Sequence, residues 1–124
     1  MNWNFDNERP IYLQIIEHIK LFIVTGEFLP GQKLASVREL ASEAGVNPNT
    51  MQKALSELEN TGLVYSNRTS GRYVTDNPDL INSVREEMAK KNIVSFLLNM
   101  EQIGITLKDS IELIQKFYTG GTQK

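Results

Sequence analysis

Ser36-Val37-Arg38-Glu39-Leu40-Ala41-Ser42-Glu43-Ala44-Gly45-Val46-Asn47-Pro48-Asn49-Thr50-Met51-Gln52-Lys53-Ala54-Leu55 decides the fold. Ser36 with Glu39 three residues on is a capping box, so a helix starts there. Val37, Leu40, Ala41 and Ala44 make its inward face, and Gly45 ends it. Asn47-Pro48 is a cap followed by a helix-starting proline. The helix that follows buries Met51, Ala54, Leu55 and Leu58, and Gly62 stops it. Two short helices joined by a tight glycine turn predict a helix-turn-helix.

The flanks complete the unit. Upstream, Trp3 and Phe5 alternate with Asn2 and Asn4, as in a short extended arm. After Pro10, Tyr12, Ile15, Ile16, Ile19, Phe22 and Ile23 recur at helical spacing until Gly26. Downstream, Leu63–Ser66 and Arg72–Thr75 read as strands around a turn at Asn67–Gly71. The order helix, helix, turn, helix, hairpin predicts a winged helix-turn-helix over residues 1–76. Asp76-Asn77-Pro78 marks a boundary. Residues 77–124 predict a helix from Pro78 to about Gln102, a break at Gly104, a second helix capped by Thr106 and a fraying tail, Thr119–Lys124. The fold class is therefore α+β, mainly α.

Composition narrows the chemistry. The 124 residues allow one domain and a small appendage. With no cysteine and one histidine, His18, neither a thiolate centre nor a histidine pair for a metal can be built. His18 is expected on the solvated polar edge of its helix. There is no Gly-rich phosphate loop, no nucleophile elbow and no evident acid–base pair, so neither catalysis nor a cofactor is expected. No apolar run reaches the ~20 residues of a membrane span, and Met1-Asn2-Trp3-Asn4 lacks a signal-peptide pattern. A cytoplasmic protein without a membrane partner is expected. The net charge is −2, so any nucleic-acid surface must be local. Gly26 to Asp76 holds five basic residues (Lys33, Arg38, Lys53, Arg68, Arg72) against six acidic ones (Glu27, Glu39, Glu43, Glu57, Glu59, Asp76), so placement decides.

The outward face of the third helix carries Asn49, Gln52, Lys53 and Ser56, with Thr50 beside them. Asn and Gln can bond an adenine edge in the major groove, and Lys can reach guanine or phosphate. Acid is confined to Glu57 and Glu59 at the far end. Each feature has a plainer reading: Arg38 and the polar face as solvated surface, Arg68 and Arg72 as ordinary hairpin charges. A winged-helix module that binds a protein instead of DNA is the competing function, but it would expose aromatic or aliphatic anchors on this face.

Pro30-Gly31-Gln32-Lys33-Leu34-Ala35-Ser36-Val37-Arg38-Glu39-Leu40-Ala41 resembles the signature of GntR-family bacterial transcription regulators. Val46 to Leu55, Leu58-Glu59 and Gly62-Leu63-Val64 continue it. Asn47-Pro48-Asn49-Thr50 and the short C-terminal region resemble the YtrA subfamily. The resemblance implies a homodimer on a palindromic double-stranded DNA operator, usually a repressor, often of a transporter operon or its own gene. It carries over as DNA-binding Ser36 and Arg38 on the second helix and Asn47, Asn49, Thr50, Gln52 and Lys53 on the third. On the hairpin it carries over Arg68, Ser70, Gly71 and Arg72. Two positions depart from the pattern: Ala35 replaces the usual proline, and Thr69 an earlier wing glycine. A β-branched residue fits positive φ poorly, so a wing tip of different shape is expected.

The second informative feature is apolar excess after Pro78. Ile81, Val84, Met88, Phe96, Leu97 and Met100, then Ile111, Ile114 and Phe117, are more than a lone helix pair can cover. A symmetric partner is the simplest cover, so these residues are the expected dimer interface. Two helices leave little room for a dedicated effector domain, and no effector is legible in the sequence.

Overall fold

In the computed structural model, residues 1–118 are described; the tail Thr119–Lys124, expected to fray, lies outside the described residues. Five helices and one two-stranded antiparallel sheet form among them: α1 (Ile11–Thr25), α2 (Val37–Ala44), α3 (Pro48–Thr61), β1 (Val64–Asn67), β2 (Gly71–Val74), α4 (Pro78–Gln102) and α5 (Leu107–Tyr118). They fall into two compact units, Met1–Arg85 and a second beginning at Glu86.

The first unit is built on α3. Met51, Ala54, Leu55 and Leu58 lie at helical spacing and are wholly buried with Ile15 and Ile19 of α1. Leu40, Ala41 and Ala44 of α2 close the same core. Each large apolar side chain sealed this way contributes roughly 1.5–3 kcal/mol. Val64 and Val74, a directly opposed pair, turn one face of the hairpin into that core. Both strands sit one residue earlier or later than their sequence pattern suggests, because the ladder closes at Asn67↔Gly71.

The N-terminal arm is packed down. Trp3 meets Phe22 edge-on at 5.0 Å and stacks on His18 at 5.8 Å. The His18 ring is thus half-buried beneath the arm, where the sequence alone suggested a solvated position. Its Nε2 accepts the Asn4 N–H at 3.2 Å, so the proton sits on Nδ1, which donates to the Gln14 carbonyl at 2.7 Å. Gln14 is a buried polar anchor. Its Oε1 accepts the Asp6 N–H, and its Nε2 donates to the Asp6 and Arg9 carbonyls at 2.9–3.0 Å.

The first two turns of α4 belong to this unit, so it extends past the Asp76–Pro78 junction. Asn77 Oδ1 caps α4 by accepting the Asp79 N–H at 3.0 Å. Ile81 is buried in the winged-helix core and Val84 packs against it. Both were expected in a dimer-interface stripe; the structure moves them to the core. Beside them, at the end of α1, Arg85 donates to the Val24 carbonyl at 2.7 Å and to Asn82 Oδ1. Leu80 also lies close to Gly62 at the end of α3.

In the second unit, Thr106 Oγ1 accepts the Asp109 N–H and starts α5. Met88, Leu97 and Met100 are half-buried, while Phe96, Ile111, Ile114 and Phe117 stay exposed.

Replacing Gln14 by Leu should destabilise the protein by about 1–3 kcal/mol, because the Asp6 and Arg9 backbone groups lose their partners. Urea unfolding followed by Trp3 fluorescence measures this; an unchanged midpoint would show that Gln14 does not fasten the arm.

Candidate nucleic-acid interface

The outer surface of α3 is polar because its inner face is fully used. Asn47 Oδ1 accepts the Asn49 N–H at 2.7 Å and Pro48 occupies the first turn, so the helix start is fixed by the chain itself. Asn49, Gln52, Lys53 and Ser56 are exposed, and Thr50 is half-buried. Gln52 Nε2 donates to Ser56 Oγ at 3.2 Å, one turn on. Lys53 is folded back over the Tyr12 ring, its Nζ 3.8 Å from the centroid. Of the residues expected here, Asn47 serves as a cap, and Lys53 rests against Tyr12 of α1.

At α2, Ser36 Oγ accepts the Glu39 N–H and Glu39 accepts the Ser36 N–H, both at 3.1 Å. Hydrogen bonding by Ser36, its backbone N–H first and its side chain second, holds the Glu39 carboxyl below the ordinary carboxylate range. Ser36 therefore shapes the helix start. Arg38, on the first turn, is exposed and has no acidic partner among the described residues. The usual proline before the cap is not required: Ala35 leaves the capping box complete.

The wing is a short hairpin backed by a third extended segment. Leu34 N–H donates to the Arg72 carbonyl and Val74 N–H to the Gln32 carbonyl, both at 2.9 Å, with Lys33 bridged to Tyr73. The tip is Arg68-Thr69-Ser70. Asn67 Oδ1 accepts from the Thr69 N–H and hydroxyl, and the Tyr73 hydroxyl donates to Ser70 Oγ at 2.8 Å. The positive φ, +116°, falls on Gly71. Thr69 instead works as a partner of Asn67 at the tip.

Arg72, expected among the DNA contacts of the wing, is engaged within the chain. Its Nε donates to Glu59 Oε1 at 2.8 Å, and its side chain is only 20% exposed. Ser66 Oγ donates to the other Glu59 oxygen at 2.6 Å. Those bonds, Ser66 first and Arg72 second, pull the Glu59 carboxyl below its ordinary value. Their contribution is present at neutral pH and is lost only as pH falls through that lowered value. From the sequence, Glu59 reads as distant acid and, like Lys33, as part of the family signature, and neither is given a contact. Lys33 lines an open groove with Ser36, Ser70 and Gly71, between the start of α2 and the wing. The helix partner that draws Arg72 inward, Glu59 of α3, is 13 residues away, beyond any local spacing rule.

The free cations of this surface are thus Lys33, Arg38 and Arg68, none with an acidic partner among the described residues. The first turn of α3 carries no acid. This arrangement agrees with the match of residues 11–74 to the model of "Bacterial regulatory proteins, gntR family". The chain belongs to the GntR family. It is 35% identical over 108 residues to the transcriptional repressor YtrA of Bacillus subtilis, covering 86% of this chain and 83% of that one. A GntR-family regulator from Listeria monocytogenes superposes with a TM-score of 0.83 at 40% identity, covering 90% of this chain and 98% of that one. The DNA-binding domain of AraR, solved in complex with operator ORR3, superposes with a TM-score of 0.52 at 33% identity, over 60% of this chain and 90% of that domain. This GntR-family member is a DNA-binding transcription regulator, and its relatives are regulators and not enzymes. No helix among the described residues is long and apolar enough to cross a membrane.

Gly71→Val should weaken DNA binding more than folding. Its backbone conformation, with φ at +116°, strains an L residue. Parallel melting and DNA titrations test this, and a folded variant with normal DNA affinity would show that tip shape is irrelevant.

Proposed function

We propose that the chain binds a palindromic operator as a homodimer and represses an operon, most simply a transporter operon or its own. The observation that carries this reading is the α3 surface. Uncharged residues with both donors and acceptors, Asn49 and Gln52, are exposed at its acid-free start, and the cations Arg38, Lys33 and Arg68 are exposed on α2, before it and on the wing. In this arrangement Asn49, Thr50 and Gln52 read base edges, while Arg38 and the wing hold the phosphate backbone. Lys53 can leave Tyr12 for a phosphate, since an exposed cation–π contact is worth only ~0.5–1 kcal/mol. That YtrA is a repressor and that the AraR domain was solved on an operator support the same reading.

The dimer rests on the second unit. Ile111 and Ile114 are almost half exposed and Phe117 is 74% exposed, on a helix whose other side is charged. Phe96 adds to the apolar surface on α4. A self-complementary contact would cover both helices at once. Two linked DNA-binding units then gain affinity through effective concentration, which offsets the few ionic contacts each can make.

Two measurements test this. Fluorescence anisotropy with the DNA upstream of the chain's own gene should show tight, salt-dependent binding. Arg38→Ala should weaken it and reduce the slope of log affinity against log salt by roughly 0.9 per subunit, with the melting temperature nearly unchanged. Unchanged affinity would make Arg38 a mere surface charge. Separately, Phe117→Asp should sediment as a monomer, because a charge in an apolar interface is costly without a partner. A Phe117→Asp protein that remains dimeric would move the interface elsewhere.

A further inference from the structure

The wing is a weak element by itself. Two four-residue strands closed by a three-residue loop are marginal in water unless something holds them. Val64 and Val74 fix the inner rung of the hairpin in the core. Nearer the tip the support changes character. Ser66 and Arg72 face each other across the ladder, one rung inside the closing Asn67↔Gly71 pair. One carboxylate, Glu59 of α3, takes both: Oε2 from Ser66 at 2.6 Å and Oε1 from Arg72 at 2.8 Å. Both strands are therefore tied to the same side chain at the same rung.

The position of Glu59 on α3 gives the tie its meaning. Glu59 follows Gln52 by seven residues, which is two turns, ~10 Å along the axis and only ~20° around it. The wing is thus fastened to the face of α3 that carries Gln52. A bare carboxylate there would also repel phosphate, and Arg72 neutralises it.

We infer that Glu59 is a positioning residue for DNA binding: by holding Ser66 and Arg72 together it fixes the wing against α3, so that the tip at Arg68–Ser70 meets the duplex while α3 reads it. Arg72 is then a strut of the wing and Arg68 is its DNA-facing cation. The lowered Glu59 carboxyl agrees with a pair that is intact at neutral pH. This assignment rests on the operator reading above, and its test separates the two.

Glu59→Ala should cut operator affinity roughly tenfold, the binding equivalent of one charge-assisted hydrogen bond. It should remove the flanking, wing-side part of a hydroxyl-radical footprint and leave the base-preference profile of α3 intact. Hydrogen exchange at Ser66–Arg72 amides should speed up in the free protein. Glu59→Gln should rescue much of the loss, because its amide can still accept from Arg72 and donate to Ser66. The charge-swapped double variant E59R/R72E should recover affinity over E59A by rebuilding the pair in reverse. Wild-type affinity for E59A would overturn the assignment. So would E59Q as weak as E59A, or a swapped variant with a protected wing that still binds poorly, since Arg72 would then touch DNA itself. If the unaltered chain fails to bind the upstream DNA, the operator reading is what fails. The exchange experiment then decides the tie alone: equal wing exchange in E59A and the unaltered chain would overturn it.

Discussion

Everything on the functional surface depends on the burial of one helix face. Met51, Ala54, Leu55 and Leu58 of α3 are sealed against Ile15 and Ile19 of α1. Because that apolar face is fixed inward, the rotation of α3 about its own axis is fixed too. Asn49, Gln52 and Ser56 are outward as a result, with no interaction of their own needed to hold the helix. Removing a methylene or two from this face would leave a cavity and cost stability. It would also loosen the angle at which the polar face is presented.

The same economy governs charge. The chain is mildly acidic as a whole, and its first unit offers few cations. Arg72 is taken by Glu59 and Lys53 lies on Tyr12, so the cations left between Gly26 and Asp76 are Lys33, Arg38 and Arg68, at the approach to α2, on its first turn and on the wing. Acid on α3 begins only at Glu57. A surface of this kind attracts DNA through local arrangement, and its affinity is expected to depend steeply on salt and on the number of linked copies.

Local rules reached most of the fold. Ser36 with Glu39, Asn47 with Pro48, and Thr106 with Asp109 are short-range signals, and the helix starts fall where these residues stand. The α3 face was legible because its buried residues recur every three or four positions. What escaped was set by contacts distant in sequence. Ile81 looked like the start of an interface stripe because nothing nearby reveals that Arg85 reaches back 61 residues to Val24. His18 looked solvated because its cover comes from Trp3 and Asn4, 14 residues upstream in the case of the hydrogen bond. Arg72 looked like a tip cation because its spacing to Glu59 follows no helix or strand period. The candidate site was therefore readable in which residues face outward. It was not readable in which of them are already engaged.

The division of labour within α3 bears on how such a regulator changes its target over evolutionary time. The helix is held by its cap at Asn47, by Pro48 and by four buried residues, none of which is Asn49, Gln52 or Ser56. Substitutions at those three outward positions leave the framework untouched, so stability places little restraint on them. A duplicated copy of the gene can therefore drift toward a new DNA sequence without first losing and regaining its fold. On the operator reading proposed above, target choice then falls to a few solvent-facing side chains on which the scaffold does not depend.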